Sequence, residues 1–273
     1  MVSLRSLVVW ATAVSAALAA PTKNTFMRRF VDDLSHQLMG EPTALGRFNL
    51  LKGDVNNFIF DFIAERRKTE SDSDDGVVVL ATAGNFPLAI GNGIAMGIGW
   101  MGPCGLNVPH WHPRASELLV AIGGSLQFGT FQEDNASFIN GTIHDHQATI
   151  FPAGSLHYQQ NLMCTSAQFI AAFSSDDPGR LDAAPSFFKQ LPANINNAAL
   201  GDIGVEEVLE IAHKIPNNVA WGVQQCLDRC RLSRPGQWTP EAVAKAKGEL
   251  QAFLEQGPIS PKDFAGLSVV PSI

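Results

Sequence analysis

Between Val77 and Phe173 the chain alternates short apolar runs with Gly, Pro and Asn. The runs are Val77–Leu80, Leu118–Ile122, Ala148–Phe151 and Ala167–Phe173. Short runs bounded by turn formers predict strands, and several in succession predict an all-β sandwich or barrel. The flanks read differently. Phe26, Phe30, Leu34 and Leu38 recur every four residues, the spacing of one helix face. Val205–Ile215 also predicts a helix. Thr239-Pro240-Glu241 gives an N-cap with Pro at the first helical position, and Val243, Ala246, Leu250 and Phe253 mark one face of a helix that stops near Gly257. Phe58, Phe60 and Phe62 alternate, which predicts a strand face. An acidic loop from Glu70 to Gly76 precedes the β region, and the polar stretch Ser174–Gly179 closes it. No internal repeat or low-complexity tract is visible.

The apolar run Leu7–Ala20 belongs to neither pattern. It follows a single charge, Arg5, and ends at Ala17-Leu18-Ala19, a small-x-small cleavage pattern. This is the form of a secretory signal peptide over 1–20, and the run falls short of a membrane span. Composition fits a secreted globular chain. Of 273 residues, 45 % are apolar and 16 % charged, which excludes a disordered chain. A net charge of −7 without a basic stripe argues against nucleic acid and anionic membrane surfaces. Secretion makes pairing the natural state of Cys104, Cys164, Cys226 and Cys230. Cys226 and Cys230 lack zinc-knuckle spacing. Asn135-Ala136-Ser137 and Asn140-Gly141-Thr142 are glycosylation acceptors.

The residues with chemistry lie in two segments, CGLNVPHWHPRASELLVAIGG (104–124) and HDHQATIFPAGSLHYQQN (144–161). His110 and His112 are two apart, so on a strand both imidazoles point to one side. Glu117 follows after Pro113 has turned the chain. Pro152-Ala153-Gly154 makes a second turn and places His157 at the start of a strand, with Asn161 four residues on. Three imidazoles and a carboxylate make a mixed N/O donor set suited to Mn, Fe, Zn or Ni. On an octahedral ion they leave two positions open for water or oxygen species. His144 and His146 form a second His-x-His, read here as a solvated turn. Trp111, between two ligands, should point away from them.

These segments resemble the paired motifs of the cupin superfamily. His110, His112, Glu117 and Gly124 fall in register with the first motif, and Pro152, Gly154, His157 and Asn161 with the second. Pro109–Glu117 and Ser174–Gly179 are similar to the corresponding stretches of germin-like proteins and spherulins. The likeness runs from about Ala81 to about Ile215. It implies a mainly β fold, a jelly-roll β-barrel, with helical segments at both ends. The corresponding division is a signal peptide (1–20), an N-terminal arm with a short helix (21–76), the barrel (77–203) and a C-terminal helical extension (204–273). The resemblance implies a manganese ion held by His110, His112, Glu117 and His157, with Asn107 and Asn161 orienting a substrate. Two positions depart from the motifs: Cys104 and His146 stand where Gly is usual. Oxalate-oxidising germins carry two Asn residues before the first His. Asn107 matches one, and Gly97 stands in the place of the other.

The implied barrel sets the strand of His110 antiparallel to that of His157. Register then predicts Cys104 paired with Cys164 across a bulge near Gly102-Pro103 or Gly105, and Cys226 paired with Cys230 along one helix face. The functional expectation is an extracellular manganese protein of the cell exterior or wall. It would act on superoxide or a small carboxylic acid, have no nucleic-acid partner and no membrane span, and assemble as a homo-oligomer. The alternative is a non-catalytic wall or spore-coat scaffold, or a small-ligand binder.

Overall fold

A computed structural model describes residues 34–69 and 75–232. The signal-peptide pattern, Phe26 and Phe30, most of the acidic loop and the helix from Thr239 lie outside the described residues. The chain divides into two compact units, 1–50 and 51–273. In the first, a helix spans 34–40. A second, Ala44–Leu51, starts where Thr43 Oγ1 accepts the Gly46 N–H at 3.0 Å, an N-cap that satisfies an otherwise unpaired helix donor.

The second unit is built on two antiparallel sheets. The strands are β1 (Gly76–Ala81), β2 (Ala95–Met101), β3 (Gly105–Trp111), β4 (Glu117–Ile122), β5 (Leu126–Phe131), β6 (Ile139–Ile143), β7 (Ala148–Phe151), β8 (Leu156–Gln160), β9 (Ala167–Phe173), β10 (Leu181–Asp182) and β11 (Ala220–Trp221). One sheet runs β1-β2-β9-β4-β7 and the other β10-β3-β8-β5-β6, with β11 also on β3. Leu119, Phe151, Phe169, Ala171 and Phe173 belong to the buried core between the sheets. This is the mainly β jelly roll the sequence predicts, since alternate residues of each strand face a common interior.

Three local expectations are corrected. Phe58, Phe60 and Phe62 do not form a strand face. Val55–Phe58 is a 3₁₀-helix and Phe62–Arg66 an α-helix. Asp54 accepts the Asn56 N–H and Asp61 accepts the Ala64 N–H, and these caps outweigh the alternation. The bulge in β3 lies between Asn107 and His110, not near Gly102-Pro103 or Gly105. Pro109 sits in this interval and has no N–H to give to the ladder.

The disulfides also differ from the register argument. Cys104 pairs with Cys226 (Cα–Cα 5.7 Å) and Cys164 with Cys230 (5.2 Å). Cys226 and Cys230 do share one face of the helix Gln224–Cys230. A shared face points both thiols at a third surface, and here each meets a cysteine of the barrel. Cys104, Cys226 and Leu227 are buried there, packed by Leu162, Trp221 and Leu232. The closed loops span 122 and 66 residues, so each link, once formed, stabilises the fold by roughly 4–5 kcal/mol by restricting the unfolded chain, against about 2 for a bridge between residues four apart. β11 leads into this helix: Ala220 and Trp221 pair with Leu106 and Gly105. Gly222 then passes so close that a Cβ there would meet Cys104 O at 2.6 Å.

Candidate metal centre

β3 ends at Trp111, so His110 lies within it and His112 just beyond it. Glu117 opens β4, and His157 is the second residue of β8. His110 stands directly opposite His157, whereas Glu117 stands between Phe151 and Phe173 on its two neighbouring strands. The four side chains converge in the interior, each 1–3 % exposed. One ligand atom from each lies within 4.8 Å of the others.

Each imidazole is tied on its far side to a backbone carbonyl. The contacts are His110 Nδ1 to Val108 O at 2.7 Å, His112 Nδ1 to Gly179 O at 2.5 Å and His157 Nδ1 to Ser155 O at 2.8 Å. A carbonyl can only accept, so Nδ1 carries the proton and Nε2 presents a lone pair. Glu117 Oε2 lies 3.0 Å from His157 Nε2 and 3.2 Å from His112 Nε2. Burial would raise the Glu117 pKa; hydrogen bonds from Nε2–H and the charges of His112 and His157, where those rings carry a second proton, outweigh this and hold it at about 2. His110 is pushed well below the ordinary imidazole range by burial, then by the charges of Arg180, His157 and His112. A carboxylate facing Nε2 lone pairs is repulsive unless a cation lies between them. Three Nε2 donors and one anionic oxygen therefore fit a divalent transition ion.

Two aromatic residues, missed in the sequence, hold this arrangement. Phe151 stacks on His157 with centroids 4.2 Å apart and planes 8° from parallel, and Phe173 meets His112 edge-on at 4.7 Å. Both flank Glu117 in register. The period-two pattern of β7 and β9 marks them as inward, but it does not reveal the contact with histidine.

The family profile described as Cupin matches residues 63–207, which span the strands bearing all four side chains. The chain belongs to the cupin family. Its relatives place it among the germin-like and spherulin cupins. Spherulin-1B of Physarum polycephalum is 38 % identical over 231 residues, covering 84 % of this chain and 91 % of that protein. Spherulin-1A of the same organism is 37 % identical over 74 % of this chain and 80 % of its own length. Germin-like protein subfamily 2 member 3 of Arabidopsis thaliana is 30 % identical over 74 % and 92 %. Among solved structures, an oxalate oxidase aligns with a TM-score of 0.52 at 21 % identity, over 58 % of this chain and 80 % of that one, and shares the fold.

Both departures from the cupin motifs fall on left-handed backbone. Cys104 has φ 59° and His146 φ 64°, where L-residues are strained and Gly is free. Cys104 takes the strained position and forms a disulfide from it. His146 is 78 % exposed, and its Nδ1 lies 2.9 Å from Asp145 Oδ2. His144 is within 3.0 Å of Ser125 Oγ. This second pair lies on a solvated turn, as read from the sequence. Trp111 pairs with Leu181 of β10 and is partly buried.

The two Asn residues fare differently from the expectation. Asn161 is fully buried. Its Nδ2 donates to Gly102 O and Thr165 O at 2.9 and 2.8 Å, and its Oδ1 accepts the Met163 N–H at 2.9 Å. It clasps two turns and is not free to orient a substrate. Asn107 faces the interior, but both ends of its amide are engaged. Nδ2 donates to Gln159 Oε1 at 2.6 Å, and Oδ1 accepts from Arg180 Nη2 at 2.9 Å. Arg180 is a further residue the sequence did not single out. It follows the Asp-Pro-Gly turn, and its charge reaches His110 and Glu117.

Proposed function

We propose that this cupin is a secreted manganese-binding protein, redox-active toward superoxide or a small carboxylic acid. The reading rests on one observation: three imidazoles with Nδ1 held by carbonyls turn Nε2 toward one buried carboxylate, all within 4.8 Å. A bound manganese ion would supply two accessible oxidation states and open coordination positions. The chain supplies the rest. Glu117 brings the single negative charge, the backbone carbonyls fix each ring, and Phe151 and Phe173 exclude water from one side. The signal-peptide pattern and two disulfides support an extracellular location. Asn135 and Asn140 are both exposed and open to glycosylation. No helix among the described residues is long and apolar enough to cross a membrane.

Met96, Ala172, Leu118 and Ile150 are paired neighbours across four strands and all exposed. This apolar row on the outer sheet face supports a homo-oligomer, to be read by light scattering. The metal is tested by elemental analysis of protein from its native secretion, followed by redox assay of the same sample. One manganese per chain is expected, and metal-free active protein would overturn the reading. A second reading, a non-catalytic scaffold, draws on Gly97. A Cβ there would meet Leu80 Cδ2 at 2.7 Å, so Leu80 already fills the space a substrate-facing side chain needs.

A further inference from the structure

We propose that the two disulfides form a thiol-exchange site, separate from the candidate metal centre. An extracellular dithiol would reduce Cys164–Cys230, and the freed Cys230 thiolate would then exchange into the inner Cys104–Cys226 bond.

Burial separates the two bonds. Cys164 sits in the connection between β8 and β9 and is exposed, and Cys230 is half-buried at the end of its helix. Cys104 and Cys226 are 0 and 1 % exposed. A dithiol must bring a thiolate onto a sulfur atom, so it has access to the outer bond and not to the inner one. The two bonds are nonetheless adjacent. The sulfurs of Cys104, Cys226 and Cys230 all lie within 4.8 Å of one another. Bonded sulfurs are about 2 Å apart, so the Cys230 sulfur need move by no more than about 3 Å, within the compass of a side-chain rotation. The helix sets this up, because residues four apart lie on one face and Cys226 and Cys230 are the third and last residues of Gln224–Cys230.

Charge decides which inner sulfur leaves. Arg229 Nη2 donates to Cys226 Sγ at 3.5 Å, and the same nitrogen donates to Leu162 O, which holds the guanidinium in place. A cation beside a thiol favours the thiolate, and the more acidic thiol is the better leaving group. Once protonated, Cys226 has an acceptor in Asn161 O, 4.0 Å from its sulfur. The attack therefore falls on Cys104. In the first step the dithiol is oxidised to its disulfide, and its two electrons and two protons pass to Cys164 and Cys230. The second step is an exchange with no net electron transfer. The Cys230 thiolate bonds to Cys104, the Cys104–Cys226 bond breaks, and Cys226 leaves with the electron pair and takes up the proton that Cys230 gave up. The products are a Cys104–Cys230 bond and thiols at Cys164 and Cys226. The connection between β8 and β9 is released from the helix, while β3 stays tied to it.

Dithiothreitol, added at one equivalent to the full-length protein, tests the exchange. The reaction is quenched in acid, thiols are blocked with N-ethylmaleimide, and peptides are mapped after cleavage before aspartate, which parts Cys226 from Cys230 at Asp228. Maleimide should appear on Cys164 and Cys226, with a Cys104–Cys230 link. Maleimide on Cys164 and Cys230 with Cys104–Cys226 intact overturns the proposal, and so does reduction of the inner bond while the outer one survives. Cys164→Ser supplies the Cys230 thiol without a reductant and should give the Cys104–Cys230 link directly. An intact Cys104–Cys226 bond beside a free Cys230 in that variant overturns the exchange as well. If the variant folds poorly, the partly reduced parent decides alone. Arg229→Gln should lower the ratio of blocked Cys226 to blocked Cys104 at least about threefold, because the two leaving thiols become more alike. Looser packing alone would not shift that ratio, and an unchanged ratio overturns the role of Arg229 in choosing the leaving sulfur.

Discussion

At the scale of single residues, the four side chains of the candidate metal site are legible because their spacing is itself the signal. His-x-His on a strand and a carboxylate after a Pro turn need no tertiary knowledge to be placed on one side. His112→Ala removes one of four donors and should lower metal affinity by at least about 100-fold, as the loss of even an outer partner can. Metal content by mass spectrometry checks this, and a full equivalent in the variant would falsify the ligand set. Asn161 differs from its expected role because that role depends on which turns lie beside it, and no spacing rule shows that. Asn161→Ala loses bonds to Gly102, Thr165 and Met163. At about 1 kcal/mol net for each, unfolding should become easier by roughly 3 kcal/mol while Mn²⁺ stoichiometry stays at the parent value. A metal loss without loss of stability would return Asn161 to the site. His146 gives the opposite prediction. Its φ of 64° costs roughly 1–2 kcal/mol that Gly avoids, so His146→Gly should stabilise the fold by about 1 kcal/mol in a denaturant titration. The exposed contact with Asp145 offsets little of this.

At the scale of elements, alternation gave the strands, but local chemistry overrode it where side chains bond their own backbone. Phe58, Phe60 and Phe62 have strand spacing, yet Asp54 and Asp61 cap helices around them. The capping signal, Asp two or three residues before a helical N–H, is present in the sequence and outranks the alternation. The helix Gln224–Cys230 is the more instructive case. Spacing of four puts both cysteines on one face, but they bond to Cys104 and Cys164 and not to each other. Residues on one face meet whatever that face covers, and Cys104 and Cys164 were legible as barrel cysteines without any hint that a helix lies over them. Trypsin separates the two alternatives, because cleavage after Arg229 parts Cys226 from Cys230 and cleavage after Arg114 parts Cys104 from Cys164. Unreduced digests should yield one linked species joining the Cys104 and Cys226 peptides and another joining those of Cys164 and Cys230. Recovery of the Cys104–Cys164 link would restore the register argument.

At the scale of the whole molecule, the barrel could be read because two motifs far apart in sequence must meet to make one donor set, and an antiparallel jelly roll brings them together. What the motifs could not show is what lines the rest of the cavity, since Arg180 and Gln159 are defined by neighbours across strands. On the proposed function, that lining would decide which small anion is turned over. Superoxide is small and anionic, and it needs an open position on a redox ion in a cavity of net positive charge, which Arg180 and a divalent metal together would provide. Oxalate oxidation asks for more, since the substrate must be oriented as its electrons leave. Asn107, the amide expected to help, is bonded to Gln159 and Arg180. At Gly97 there is no side chain, and Leu80 fills the space beside it. Loss of one orienting or charge-stabilising donor can lower a rate by about 100-fold. Manganese-loaded protein should therefore dismute superoxide faster than the same concentration of free manganese ion. Hydrogen peroxide release from oxalate should lie at least about 100-fold below that of an oxalate oxidase assayed alongside. Dismutation no faster than the free ion would favour the scaffold. Oxalate turnover at the oxidase's own rate would mean that Arg180 and Gln159 orient this substrate as well as the missing amide does.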